Sequence, residues 1–173
     1  MKNILSLSIL VILTLAVHAL TPVKGSLPPT GQFRVIRIYD GDTFTILDPN
    51  GLKTYNIRIN GIDAPERTQE YGLYARAFLE QLIDGKPVKI TPIGIDIWGR
   101  TTATCYDHQG HDIALEMLKA GMAWHYTQYS SNQKYAEAEK MARCAHTGLW
   151  CRTNPMNPQD YRHAPRDIKR KNQ

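Results

Sequence analysis

The feature that most constrains this chain is a series of short runs in which apolar and polar residues alternate, each broken by turn-forming residues. From Phe33 to Tyr39, Val35, Ile36 and Ile38 stand among Arg34 and Arg37, and Gly41 turns the chain into Thr43 to Leu47. Asp48-Pro49-Asn50-Gly51 is a strong hairpin turn, after which Tyr55, Ile57 and Ile59 alternate with Thr54, Asn56 and Arg58. A period of two puts one face of each segment inward and the other toward water, which predicts strands. Val88 to Ile93 and Thr101 to Tyr106 read as two more strands, joined through Asp96-Ile97-Trp98-Gly99-Arg100.

Helical spacing enters between and after these runs. Tyr74, Phe78 and Leu82 recur every four residues, which predicts an amphipathic helix from Gly72 to Asp84, ended by Gly85 and Pro87. Asp112 stands as a cap before Ile113, Leu115, Met117 and Leu118, and Gly121 ends that segment. A last helix, from Gln133 to about His146, is expected to align Tyr135, Ala138, Met141, Ala142 and Ala145 and to stop at Gly148. Five β segments with a helix after the third and two further helices predict an α+β domain: a small closed barrel of OB type with three α-helices. The chain contains neither a dinucleotide-binding glycine fingerprint nor a P-loop.

At the N-terminus, Lys2 precedes Ile4 to Val17, an apolar run of 14 residues, and Val17-His18-Ala19 fits cleavage after Ala19. The run is short against the roughly 20 residues that span a bilayer. Residues 1–19 are therefore expected to be a removed signal peptide and 20–31, with Pro22, Gly25, Pro28, Pro29 and Gly31, a linker. The domain is expected over 32–152 and a Pro-containing basic tail over 153–173. Losing Lys2 lowers the formal charge from +5 to +4, so the mature chain stays basic, as suits a polyanionic partner. Much of that excess lies in the tail, where Arg162, Arg166, Lys169, Arg170 and Lys171 read as a solvated end giving non-specific attraction at most. An oxidising destination makes one disulfide plausible; Cys144 and Cys151 flank a helix end, whereas Cys105 belongs to a strand-like run as a buried thiol.

Three clusters carry chemistry: Asp40-Gly41-Asp42-Thr43, Arg58 followed by Asn60-Gly61-Ile62-Asp63-Ala64-Pro65-Glu66, and Asp96 to Arg100. Each alone has a plain structural reading, because Asp and Gly are favoured in turns. Together, Asp42, Asp63 and Glu66 offer hard oxygen donors on turn-like backbone, which suits Ca²⁺, and Ala64 can add its carbonyl. Neither His nor Cys occurs in the clusters, which argues against Zn²⁺. Phosphodiester hydrolysis needs an activated water, a cation and donors gripping the equatorial oxygens. Arg58 and Arg100 supply planar forks that lysine does not reproduce, and Glu66 is the candidate to accept a proton from water or to orient it.

Across residues 33 to 150 the chain resembles the thermonuclease family, secreted nucleases similar to staphylococcal nuclease. The likeness lies in Tyr39-Asp40-Gly41-Asp42-Thr43, Arg58 with Gly61-Ile62-Asp63-Ala64-Pro65-Glu66, Gly99-Arg100, and Gly148-Leu149-Trp150, in that order. The resemblance implies a five-stranded OB barrel with three helices, one catalytic Ca²⁺, and cleavage of DNA and RNA to 3′-phosphate ends. It assigns the metal to Asp42, Asp63 and the Ala64 carbonyl, the phosphate to Arg58 and Arg100, and water activation to Glu66. Asp40 and Thr43 match the first turn and would support the metal carboxylates from behind. The chain departs from the family's best-known member at Ala64, where threonine stands there, and at Ile97-Trp98, where that member has Lys-Tyr. Trp98 can stack on a base or sugar, and Tyr126 and Tyr129 either line the nucleotide pocket or pack the barrel wall. The expected protein is a secreted or periplasmic monomer with no stable membrane association. The rival readings are a non-catalytic OB-fold module for single-stranded nucleic acid and an oligosaccharide-binding OB domain.

Overall fold

The structure is a computed structural model that describes residues 26–171. The expected signal peptide and residues 20–25 of the expected linker lie outside that range. Five strands make a closed barrel in the order β1-β2-β3-β6-β5: β1 Gly31–Ile38, β2 Thr43–Leu47, β3 Thr54–Ile59, β5 Pro87–Ile95 and β6 Thr101–Tyr106. Two short strands, β4 Ile62–Asp63 and β7 Trp124–His125, pair separately beside it. The period-two runs explain the barrel directly. Phe33, Phe44, Ile46, Ile57, Val88 and Ile90 face inward and are buried, each contributing about 1.5–3 kcal/mol of apolar burial.

Two strands break their period at bulges. In β1 the register slips between Val35 and Arg37, which leaves Ile36 exposed while Val35 and Ile38 stay in the core. In β5 it slips between Pro92 and Gly94, where a strand tolerates a residue lacking an N–H.

Three helices follow where the spacing placed them: α1 Gly72–Ile83, α2 Ile113–Lys119 and α3 Gln133–Cys144. Their buried faces differ from expectation. In α1, Ala75, Leu79 and Ile83 are fully buried, Phe78 and Leu82 pack at the edge of the core, and Tyr74 is exposed, so the stripe is rotated by about one residue. In α3, Tyr135, Ala138 and Ala142 are buried, whereas Met141 and Ala145 face solvent. The Asp112 carboxylate caps α2 through the Leu115 N–H, as anticipated, and also accepts from the Tyr135 hydroxyl at 2.7 Å, tying α2 to α3.

The C-terminal segment is structured against the domain rather than solvated. A 3₁₀ turn, Gly148–Cys151, leads to two short helices, α4 Pro158–His163 and α5 Arg166–Lys171, which brings the α-helices among the described residues to five. Tyr161 of α4 is buried, and its hydroxyl donates to the Thr68 carbonyl at 3.0 Å. The anticipated Cys144–Cys151 bridge is not formed. Both thiols are free and exposed, and Cys151 Sγ shares a hydrogen bond with the Tyr71 hydroxyl. Cys105 is the buried thiol the strand pattern implied. Among the described residues no helix is long and apolar enough to cross a membrane.

Candidate active site

The site forms where three chain segments meet at one end of the barrel. The β1–β2 turn bears Asp40 and Asp42, and β3 bears Arg58 opposite Thr43 of β2 and Thr102 of β6. The segment leaving β3 bears Asp63 in β4, then Ala64 and Glu66. Gly41 permits the approach of the first turn to the third segment. A Cβ there would lie 2.7 Å from the Ala64 Cβ and 2.8 Å from that of Ala75, closer than side chains pack.

Arg58 joins the two buried acids. Its Nη1 lies 2.8 Å from Asp42 Oδ2 and its Nη2 2.8 Å from Asp63 Oδ1, so both carboxylates fall within the span of one guanidinium. Asp42 is further fixed by the Ala64 N–H, which donates to Oδ2 at 2.7 Å, and by the Thr43 hydroxyl, which donates to Oδ1 at 2.9 Å. Behind it, Asp40 Oδ1 accepts from the Asp42 N–H at 3.0 Å.

Arg100 approaches from the opposite flank. The Asp96 carboxylate accepts from the backbone N–H groups of Trp98 and Arg100 and binds Arg100 Nε at 2.7 Å, which shapes the turn between β5 and β6. Arg100 Nη1 then donates to Thr43 Oγ1 at 3.3 Å. Arg58 therefore contacts Asp42 directly, while Arg100 reaches it through the Thr43 hydroxyl. Trp98 is exposed, and the Arg100 guanidinium lies 5.1 Å from the centroid of its ring.

Glu66 sits in a loop closed on itself. Its N–H donates to Gln69 Oε1 at 3.1 Å, and its carbonyl accepts from the Gln69 N–H at 2.8 Å. Gly72 lets the loop close, since a Cβ there would be 1.9 Å from the Glu66 carbonyl oxygen. On the rim, Tyr126 and Tyr129 meet edge to face at 4.8 Å between ring centroids. Tyr129 is exposed and Tyr126 half-buried, so neither belongs to the core that fills the barrel.

Negative charge is crowded here. Burial, then the charge of Asp42, pushes Asp40 up to about 7, against the pull of the Asp42 N–H and Arg58. Burial also raises the Asp63 carboxyl; Asp42 adds to the rise, while Arg162 and Arg58 oppose it. Tyr126 is raised by burial and then by the Asp63 charge, against the pull of Arg162 and Arg58.

Arg162 is the residue that sequence reading set aside. Its Nη2 lies 2.9 Å from Asp63 Oδ2, and its Nη1 lies 2.9 Å from Glu66 Oε1 and 3.2 Å from Asp63 Oδ1. Burial works against its charge, but these hydrogen bonds outweigh it and raise the guanidinium's pKa. A signal for its helix was present: Asn157 caps α4 by accepting from the Gln159 N–H, Pro158 opens it, Asp160 lies in the first turn, and Arg162 and His163 in the last.

Two buried acids clasped by one arginine, with Arg100 and Arg162 bonded into the same cluster, put three guanidinium groups together at the mouth of a small barrel, a set suited to phosphate. Residues 56–152 match the family described as Staphylococcal nuclease homologue. The chain is 41% identical over 129 residues to an uncharacterized endonuclease of Haemophilus influenzae, covering 75% of this chain and 71% of that one. It is 35% identical over 130 residues to an uncharacterized endonuclease of Escherichia coli O157:H7, covering 75% and 84%. A probable staphylococcal-like nuclease, CAN2, of Oryza sativa subsp. japonica is 40% identical over 117 residues, 68% of this chain but 32% of that longer protein. The chain belongs to the staphylococcal nuclease homologue family, and with it to the phosphodiester hydrolases.

Proposed function

We propose that this protein is a Ca²⁺-dependent nuclease that hydrolyses the phosphodiester bonds of DNA and RNA and leaves 3′-phosphate ends. What supports the reading is the polar chain that runs without a break from Arg100 through Thr43, Asp42, Arg58 and Asp63 to Arg162 and Glu66. The donor set suits a hard cation. Asp42 and Asp63 share one guanidinium, and burial raises the Asp40 and Asp63 carboxyls, a cost to their charged forms that a bound cation would offset. Among the described residues no three His, Cys, Asp or Glu side chains form a metal cluster of their own. By the likeness to the thermonuclease family, Asp42, Asp63 and the Ala64 carbonyl would hold the ion, with water completing its shell of about six to eight oxygens. When bound, Ca²⁺ would neutralise charge on the phosphate and polarise its oxygens.

The remaining work falls to side chains. Arg58 and Arg100, the one bonded to Asp42 directly and the other through Thr43, grip non-bridging oxygens of one phosphate and stabilise the charge that grows on them. Glu66 accepts a proton from the attacking water or holds that water in line; the P–O5′ bond breaks, and the 5′-oxygen takes a proton from solvent. Trp98, Tyr126 and Tyr129 offer rings to the neighbouring bases and sugars. We place the protein outside the cytoplasm, secreted or periplasmic and without stable membrane association, on the strength of the leader-like residues 1–19, and propose separately that it acts as a monomer. The test is digestion of single- and double-stranded DNA and of RNA with Ca²⁺ and with a chelator, followed by end-group analysis. Ca²⁺-restored cleavage with 3′-phosphate ends is expected; tight binding without cleavage would make the chain a nucleic-acid-binding module instead.

A further inference from the structure

The functional reading leaves Arg162 without a role, although it touches more of the acidic centre than Arg100 does. It lies beyond residues 56–152, the part of the chain that matches the family. Its placement is built rather than incidental. Gln69, buried in the Glu66 loop, donates from Nε2 to the Met156 carbonyl at 2.6 Å. Tyr161 is buried beside the same loop, and its hydroxyl reaches both the Thr68 carbonyl and the Thr68 hydroxyl, at 3.0 and 3.1 Å. Two consecutive residues thus do two jobs: Tyr161 anchors α4 to the loop that bears Glu66, and Arg162 reaches the carboxylate itself.

We infer that Arg162 is a positioning residue for Glu66, so that the C-terminal segment completes the active site. Glu66 and Arg162 are each about a third exposed, and an unheld glutamate there samples several rotamers. Arg162 Nη1 ties Oε1 of Glu66 to Oδ1 of Asp63, while Nη2 holds Oδ2 of the same aspartate. The guanidinium plane therefore fixes Glu66 relative to the acid assigned to the metal. A planar fork performs this bridging and a lysine ammonium does so poorly. Because the fork also covers both Asp63 oxygens, it competes with a cation for that carboxylate.

The inference rests on the proposed nuclease reading, and the experiment separates the two. Wild type, Arg162→Ala, Arg162→Gln, Arg162→Lys and Arg166→Ala are assayed on one DNA substrate at saturating Ca²⁺. No cleavage by wild type would defeat the functional reading itself. With wild type active, Arg162→Ala and Arg162→Gln should lose about ten- to a hundredfold in kcat with KM within about threefold, the size of effect expected when a reacting group is displaced by about 1 Å. Arg162→Lys should recover part of the loss, and added methylguanidinium should partly rescue Arg162→Ala. Arg166→Ala, which removes an equal charge from the neighbouring helix, should stay within about twofold of wild type. Calorimetric Ca²⁺ titration without substrate should show Arg162→Ala binding the ion at least as tightly as wild type. Wild-type kcat in both Arg162→Ala and Arg162→Gln, a loss confined to KM, an equal loss in Arg166→Ala, or Ca²⁺ affinity falling in step with turnover would each overturn the inference.

Discussion

Two arginine–carboxylate clasps stand side by side in this site, and they are built in different ways. Arg58 clasps Asp42 and Asp63 from the end of β3, a strand paired on both edges, with side-chain exposures of 12%, 6% and 3%. Its register is fixed by strands on both sides, and water hardly reaches the pair. Arg162 clasps Glu66 from a six-residue helix docked at the C-terminal end, and both of those side chains are 35% exposed. The inner clasp is structural, because removing the arginine would leave buried Asp42 without its cationic partner and Asp63 with Arg162 alone. The outer clasp adds little to stability, since solvent screens it, and its value lies in geometry. Burial therefore decides which arginine the fold depends on; proximity to the reaction does not.

That contrast is open to direct attack. Arg58→Ala should cost about three orders of magnitude in kcat and also destabilise the fold by about 3–5 kcal/mol, read from urea melts. A variant as stable as wild type would erase the difference between the clasps. Glu66→Gln should lose turnover by about a hundredfold or more with a stability change under about 0.5 kcal/mol, because a carboxylate 35% exposed is not what the core rests on. Gly72→Ala should lower stability by about 1–3 kcal/mol, by forcing the Glu66 carbonyl away from the added methyl group. Its turnover should fall through the displaced Glu66 loop alone, with the inner clasp unaltered. Tyr161→Phe should have the smallest effect, about 1 kcal/mol from the lost bonds to Thr68, with a loss of turnover smaller than that of Arg162→Ala. A larger loss would shift the positioning role from the arginine to its anchor.

Much of this was legible in the chain because the physics is local. Alternation at Tyr55, Ile57 and Ile59 places β3, and with it Arg58, and the Asp48 to Gly51 turn sets the hairpin that brings Thr43 opposite Arg58. Asp96 shapes its own turn by accepting from N–H groups two and four residues on, a bond that composition anticipates. The misses share a different cause. A pairing of two residues, such as Ile62–Asp63 with Trp124–His125, has no period to detect. The bulge at Val35/Arg37 hides Ile36 in a run of apolar letters that only one register explains. In α1 the helix buries small Ala75 beneath the turn that needs close approach, so the large aromatic Tyr74 is rotated outward against the spacing that named it. The tail was read by its charge, yet buried Tyr161 and the Gln69–Met156 hydrogen bond dock it and carry Arg162 to the centre. Its contacts with Thr68 and Asp63 span more than 90 residues of sequence, a separation that no local pattern encodes.

The most direct measurement is a double-mutant cycle on kcat/KM with Arg58→Lys and Arg100→Lys, each of which keeps the charge and removes the fork. If both arginines act on one scissile phosphate beside one cation, the double variant should lose little more than the worse single variant, as for groups that work as a unit. Losses that simply multiply would place the two arginines on separate tasks and contradict the account.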